Sequence, residues 1–184
     1  MVYKFKLVSD EVSNFSREIE IDANSSFLQL RNAILDSVDY SKDDIDSFFL
    51  CDDEWNREEE ITLEDMGSSS DQDIWLMEDT PLNELIEDDG QKLVFVFDYL
   101  TERSFFMEMK EALPGRTLSE PICTMKRGKA PAQYVNMEEF DEKIDQAAKK
   151  AAAMSDDLDI EDLYGDTEFN EDELGTGFDD LSLN

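Results

Sequence analysis

The chain has 184 residues, with 48 acids, 16 bases and no histidine, for a net charge of −32; twelve Phe, five Tyr and two Trp are available for a core. A surface of that sign repels nucleic-acid phosphates and anionic membranes, and the lack of His removes the commonest general base and the commonest metal ligand together. Cys51 and Cys123 form no CxxC or zinc spacing and read as reduced, buried thiols of a cytoplasmic protein, while "MVYKFKLVSD" has no signal-peptide core and no apolar run nears the ~20 residues of a membrane span.

Residues 2–8, "VYKFKLV", alternate, with Tyr3, Phe5 and Leu7 to one side and Lys4 and Lys6 to the other. "SDEVSN" breaks the pattern with turn formers, and "FSREIEID" resumes it with Phe15, Ile19 and Ile21 inward, which predicts an antiparallel hairpin. "SSFLQLRNAILDSVDY" changes to helical spacing: Phe27, Leu30, Ile34 and Val38 form a stripe, with Ser25 or Ser26 as N-cap. "SFFLCD" (47–52) predicts a strand and "EEITLEDM" (59–66) a second one. "GSSSDQD" is a loop, and "TPLNELI" (80–86) is a helical turn with Thr80 as cap and Pro81 at its first position.

"KLVFVFDYLTERSFFMEMKE" (92–111) predicts a strand, a turn at "LTER" and a returning strand. The near-continuous apolar run from Leu93 to Phe97 fits a central strand buried on both faces. Residues 113–135 hold Pro114, Pro121 and Pro131 and read as an irregular segment draped over the sheet. "MEEFDEKIDQAAKKAAA" (137–153) is an amphipathic helix with acids in its first turn and Lys149 and Lys150 near its end. Residues 154–184 carry twelve acids and no base and read as a disordered acidic tail. The fold class is thus α+β: a mixed, mostly antiparallel sheet with a packed helix, a ββα start of ubiquitin-like order, a further C-terminal helix and the tail. The expected boundaries are a core domain at 1–136, the helix at 137–153 and the tail at 154–184.

Charge is uneven. Residues 36–89 have 21 acids against two bases, a net of −19, whereas residues 110–136 have five bases against two acids, a net of +3. Lys126, Arg127 and Lys129 therefore form the one basic island and a candidate contact.

Few catalytic arrangements remain. A Ser-His-Asp or Cys-His site cannot be built without His, and no SxxK, GxGxxG or GxxxxGK[ST] occurs. Acid clusters such as Asp52, Asp53 and Glu54 follow from having 48 acids and read as solvated surface. "DLDIEDLYGDTE" starts like a calcium loop at Asp157, Asp159 and Glu161, but Asp162 stands where that loop requires Gly. No cofactor or metal is expected. Asp98, at the end of a buried run, is the most site-like single residue. The competing reading is that it accepts hydrogen bonds from the Thr101–Arg103 turn or pairs with Arg103.

The order of "VYKFKLV", "IEIDANSSFLQLRNAIL", "SFFLCDDEW", "TLEDM", "DTPLNEL", "KLVFVFDYLTERSFFMEMK" and "LSEPICTMKRGKAP" resembles the Ri-plasmid ORF-3-like family, also labelled insertion-element passenger TnpR-like proteins. The likeness spans about residues 2–135 and is to a bacterial, Bacteroidetes-like branch with acidic extensions. It implies an α+β fold and carries no implication of recombinase activity. Many members have a Tyr-Asp-Phe-Gly-Asp run followed by Trp and His. Here Phe97, Asp98 and Tyr99 match the first three positions, Leu100 and Thr101 replace Gly-Asp, and no His follows. The family's Cys-Pro-Pro-Glu-Asp segment is replaced by "ICTMKRGKAP", with Cys123 kept.

These readings point to a non-enzymatic interaction protein and a monomer, binding neither nucleic acid nor membrane directly. The expected partner is a protein that is basic or has an apolar groove. In the tail, Leu163, Tyr164, Phe169 and Phe178 are spaced apolar anchors among acids that could fold onto such a partner. The alternatives are a DNA mimic that inhibits a basic nucleic-acid-binding protein, and a metal-dependent hydrolase using carboxylates.

Overall fold

A computed structural model describes residues 1–65, 67, 74–135 and 145. The chain divides into two compact units, Met1–Tyr134 and Val135–Asn184. The expected helix at 137–153 and tail at 154–184 lie outside the described residues, apart from Asp145, which is helical and exposed. Among the described residues no helix is long and apolar enough to cross a membrane.

In the first unit the predicted hairpin is β1 (Val2–Ser9) with β2 (Ser16–Asp22), antiparallel with Phe5 opposite Ile19. Its inward residues Phe5, Leu7, Ile19 and Ile21 are fully buried. The helix α1 (Phe27–Val38) begins at Ser26, whose side chain accepts from the Gln29 N–H while the Gln29 side chain accepts from the Ser26 N–H. It ends at Asp39, in the left-handed region at φ 59, whose N–H returns to the Leu35 carbonyl. The stripe Phe27, Leu30, Ile34 and Val38 is buried as predicted.

β3 (Ser47–Cys51) and β4 (Arg57–Thr62) follow, then a two-residue β5 (Trp75–Leu76), a one-turn α2 (Leu82–Leu85), β6 (Lys92–Asp98), β7 (Arg103–Leu113) and β8 (Ile122–Arg127). Among the described residues these strands form one sheet in the order β5-β4-β3-β6-β7-β1-β2-β8. Every pairing is antiparallel except β4 with β5, which makes the sheet mixed.

β6 is central and buried on both faces. Leu93, Phe95 and Phe97 face the main core, where Phe95 stacks near Phe48 and Phe97 near Phe105, each with centroids 4.7 Å apart. Val94 and Val96 face the other way and are covered by Phe49, Trp55 and Phe106. Trp55, at φ 68 in the β3–β4 turn, packs edge-on to Phe106 at 5.2 Å, with Lys92 Nζ 5.1 Å from its ring centroid.

Three expectations need correction. β4 begins at Arg57, two residues early, because its pairing with β3 continues through the exposed Arg57–Glu60, which have no apolar pattern. Thr80 does not cap α2. Pro81 stands at the N-cap with no side-chain bond, and the Ser25 and Ala23 carbonyls accept the Leu82 and Asn83 N–H groups. Residues 113–135 are not wholly irregular, since they contain β8, paired antiparallel with β2. It escaped the pattern because most of it is exposed, so no alternation toward a core is written into it.

Candidate functional site

Lys126, Arg127 and Lys129 are exposed on and just after β8, which forms one edge of the sheet. Buried Arg17 of β2 holds this strand end by its backbone. Its Nη1 donates to the carbonyls of Arg127 at 2.8 Å, Gly128 at 3.1 Å and Ser16 at 2.9 Å, and its Nε to Ser37 at 3.1 Å, at the end of α1. Gly128, at φ +68, lies so near the Asn14 carbonyl that a Cβ would sit 2.5 Å from its oxygen. Among the described residues the three basic side chains form no ion pair, so they remain a solvent-facing positive patch. The other expected contacts, Leu163, Tyr164, Phe169 and Phe178, lie outside the described residues.

Asp98 is committed to its own turn. Its Oδ1 accepts from the Leu100 N–H at 3.0 Å and the Thr101 N–H at 3.4 Å, its Oδ2 accepts from the Thr101 hydroxyl at 2.7 Å, and Arg103 Nη1 is 4.0 Å away. Arg103 does more. It grips Glu11 through two bonds of 2.9 and 3.0 Å, donates to the Ala132 carbonyl at 2.6 Å and the Gln133 carbonyl at 3.1 Å, and lies over the Phe97 ring. It thereby ties the β1–β2 turn, the β6–β7 turn and the segment after β8 into one cluster.

Sequence reasoning missed two further polar clusters. Arg31 of α1 donates from Nε to both oxygens of Asp46 at 2.7 Å and from Nη2 to the Lys42 and Asp44 carbonyls, with both side chains almost fully buried. Burial pushes the Asp46 carboxyl up and Arg31 opposes it. Beside this pair, the Ser47 hydroxyl and the Tyr99 phenol share a hydrogen bond, and the phenol donates to Glu60 Oε1 at 2.7 Å. Burial leads the causes that push Tyr99 up to about 12.

The chemistry available is modest. A phenol held protonated is no base, and burial pushes the Cys51 thiol up, away from nucleophilic character. Cys51 is buried in β3 and Cys123 half-buried in β8, with β6, β7, β1 and β2 between them. Among the described residues no three His, Cys, Asp or Glu side chains group as metal ligands. Four described carboxylates of the −19 stretch hold turns and side chains at both ends of the sheet. Asp44 and Glu60 lie with Tyr134 and Tyr99 at one end, Asp89 with the Ala112 N–H and Asp52 with the β3–β4 turn at the other.

A family model described as plasmid pRiA4b ORF-3-like protein matches residues 2–176. The chain belongs to the plasmid pRiA4b ORF-3-like family. The resemblance read from the sequence stopped near residue 135, whereas the family match continues through the predicted helix and most of the acidic segment. Among solved structures, the "Protein of Unknown Function MM3350 from Methanosarcina mazei Go1" is similar to this family member, with a TM-score of 0.51 and 18% identity over 68% of each chain. At that identity the likeness is one of fold. No curated protein matches the chain.

Proposed function

We propose that this family member is a non-enzymatic cytoplasmic interaction protein, monomeric and without a cofactor, that engages a protein partner that is basic or has an apolar groove. The observation that carries the reading is the use made of the polar side chains inside the domain. Arg17, Arg31, Arg103, Asp46, Asp98 and Tyr99 spend their hydrogen bonds on backbone or on structural side-chain partners such as Glu11, Glu60 and Thr101, and among the described residues these bonds set no nucleophile against a base. What faces outward is a strongly negative surface, which steers a basic partner toward the domain and keeps copies of the chain apart.

The apolar anchors Leu163, Tyr164, Phe169 and Phe178 add an adaptable contact from the acidic segment, and Lys126, Arg127 and Lys129 a small one of opposite sign. Mimicry of DNA gains little, because a mimic needs its carboxylates in a row on one rigid face, whereas Asp44 and Glu60 lie toward one end of the sheet and Asp52 and Asp89 toward the other.

Affinity capture from the native cell, with the full chain and with a chain lacking 154–184, tests the proposal once each captured protein is rebound from purified components. A stoichiometric partner whose affinity falls with rising salt is expected. A chain that rebinds nothing, yet gains thermal stability with Mg²⁺, Mn²⁺ or Zn²⁺ and turns over a hydrolysable ester, overturns it.

A further inference from the structure

We infer that the end of the sheet around Leu100 is a docking surface for a basic amphipathic protein segment; this rests on the interaction-protein reading above and gives its contact a place. Leu100, at the tip of the β6–β7 turn, is 97% exposed, and Ile45, Tyr99 and Tyr134 are 48%, 44% and 62% exposed. Turn tips favour Gly, Asn, Asp and Ser, so a fully exposed Leu beside a half-exposed Tyr is an unusual use of that position.

Hydrogen bonds between loops distant in sequence bring these side chains to one end of the sheet. The Tyr99 phenol is tied to Ser47, two residues after Ile45. Gln133 Nε2 donates to the Ser41 carbonyl at 3.0 Å and to Asp44 Oδ2 at 3.1 Å, and its Oε1 accepts from the Ser41 N–H at 2.7 Å. The Tyr134 hydroxyl donates to Asp44 at 2.6 Å, and Arg103 returns from Gln133 to the base of the Leu100 turn. Loop 41–46, segment 132–134 and the β6–β7 turn thus form a closed circuit. A surface with its backbone already ordered loses little entropy on binding.

Charge selects the occupant. Asp44, Glu60 and Glu102 rim the apolar side chains. Of the basic residues on the elements that carry these side chains, Arg103 is engaged by Glu11, Arg31 by Asp46 and Lys42 by Asp36, while Lys126, Arg127 and Lys129 lie at the β8 edge, beyond β1 and β2. A second copy of a chain with net charge −32 is repelled, as is a nucleic acid. A segment carrying Lys or Arg around apolar side chains places apolar groups on Leu100 and Ile45 and cations on the rim.

The probes are a short synthetic Leu/Lys amphipathic peptide and a Ser/Lys peptide of equal charge, titrated into the full-length chain at low and moderate salt. The wild type is expected to bind the Leu/Lys peptide about 10-fold or more tightly than the Ser/Lys peptide. Leu100→Ser combined with Ile45→Ser is expected to abolish that preference without lowering the melting temperature, because both side chains are exposed. Equal binding of the two peptides, or of neither, overturns the docking surface. A preference that survives the double substitution overturns its location and leaves the interaction-protein reading standing. Failure of the capture experiment alone bears on that reading and not on this surface.

Discussion

Two regions around α1 bury an arginine, and they neutralise it differently. Near the middle of the helix, Arg31 is 3% exposed and faces Asp46, 2% exposed, with a full countercharge at 2.7 Å. At the end of the helix, Arg17 is 6% exposed, and among the described residues it meets no carboxylate. Its partners are four carbonyls, with Ser37 near the negative end of the helix dipole and Arg127 and Gly128 at the end of β8. The carboxylate fastens one loop to one helix. The carbonyl cage joins β2, α1 and β8 at a single guanidinium, which matters because β8 contributes little to the core. A counter-ion gives local strength, and a set of dipoles gives connectivity.

Removing the carboxylate should have the largest effect. Asp46→Ala leaves Arg31 buried without its countercharge and is expected to cost about 3–5 kcal/mol in urea unfolding. Arg31→Met with Asp46→Leu should regain most of that loss, since the apolar pair needs no desolvation of charge. A loss under about 1 kcal/mol for the single variant would mean that water replaces the carboxylate, and the contrast with Arg17 would collapse.

Arg17→Met comes next. It orphans carbonyls that water must then reach, at a cost of about 2–3 kcal/mol, and amide exchange should quicken in β8 well before β6. Unchanged protection in β8 would show that the strand is held by its ladder with β2 alone. Gly128→Ala tests the same joint from the backbone side. The new methyl meets the Asn14 carbonyl at a positive φ, so a loss of more than about 1 kcal/mol is expected, again with the fastest exchange in β8.

How much of this the sequence revealed follows from where each signal is written. β1, β2, α1, β6 and β7 carry their burial in their own apolar period, and Phe5, Ile19, Ile34 and Phe95 could be placed inward from spacing alone. β8 could not, because an edge strand exposing Ile122, Thr124, Lys126 and Arg127 has no inward period to read. The two arginines were legible in principle. Arg17 occupies the inward phase set by Phe15, Ile19 and Ile21, and Arg31 lies one turn after Phe27 within the buried stripe. A charged residue in phase with a core was the available signal, and composition hid it among 64 charged side chains. Asp98 was readable because an Asp two and three residues before its donors is a local turn pattern. The circuit joining Tyr99 to Ser47 and Tyr134 to Asp44 was not, since its members are 52 and 90 residues apart. Cys123, read as a buried thiol, is half-exposed because it belongs to the edge strand.

The smallest effect at neutral pH sharpens the Arg31 side of the comparison. Tyr99→Phe removes the hydroxyl between Ser47 and Glu60 and should cost about 1 kcal/mol, because exposed Glu60 can turn to water and only the buried Ser47 hydroxyl loses a partner. Its signature lies at high pH. The unfolded phenol ionises near ~10, whereas burial first, then the hydrogen bond and charge of Glu60 and the charge of Asp46, push the folded phenol up to about 12, against the opposing Ser47 bond. A raised folded pKa means that the native state keeps the proton longer. Its contribution to stability is therefore complete below pH ~10 and is lost as pH rises through about 12. Urea unfolding followed from pH 9 to 12 should show wild-type stability falling more steeply than that of Tyr99→Phe, with tyrosinate absorbance reporting one late-titrating phenol fewer in the variant. Asp46→Asn should move that late phenol earlier, since it keeps Arg31 and deletes one of the negative charges that disfavour the tyrosinate. If it does not move, Asp46 and Tyr99 are neighbours without electrostatic coupling, and the carboxylate's influence stops at Arg31.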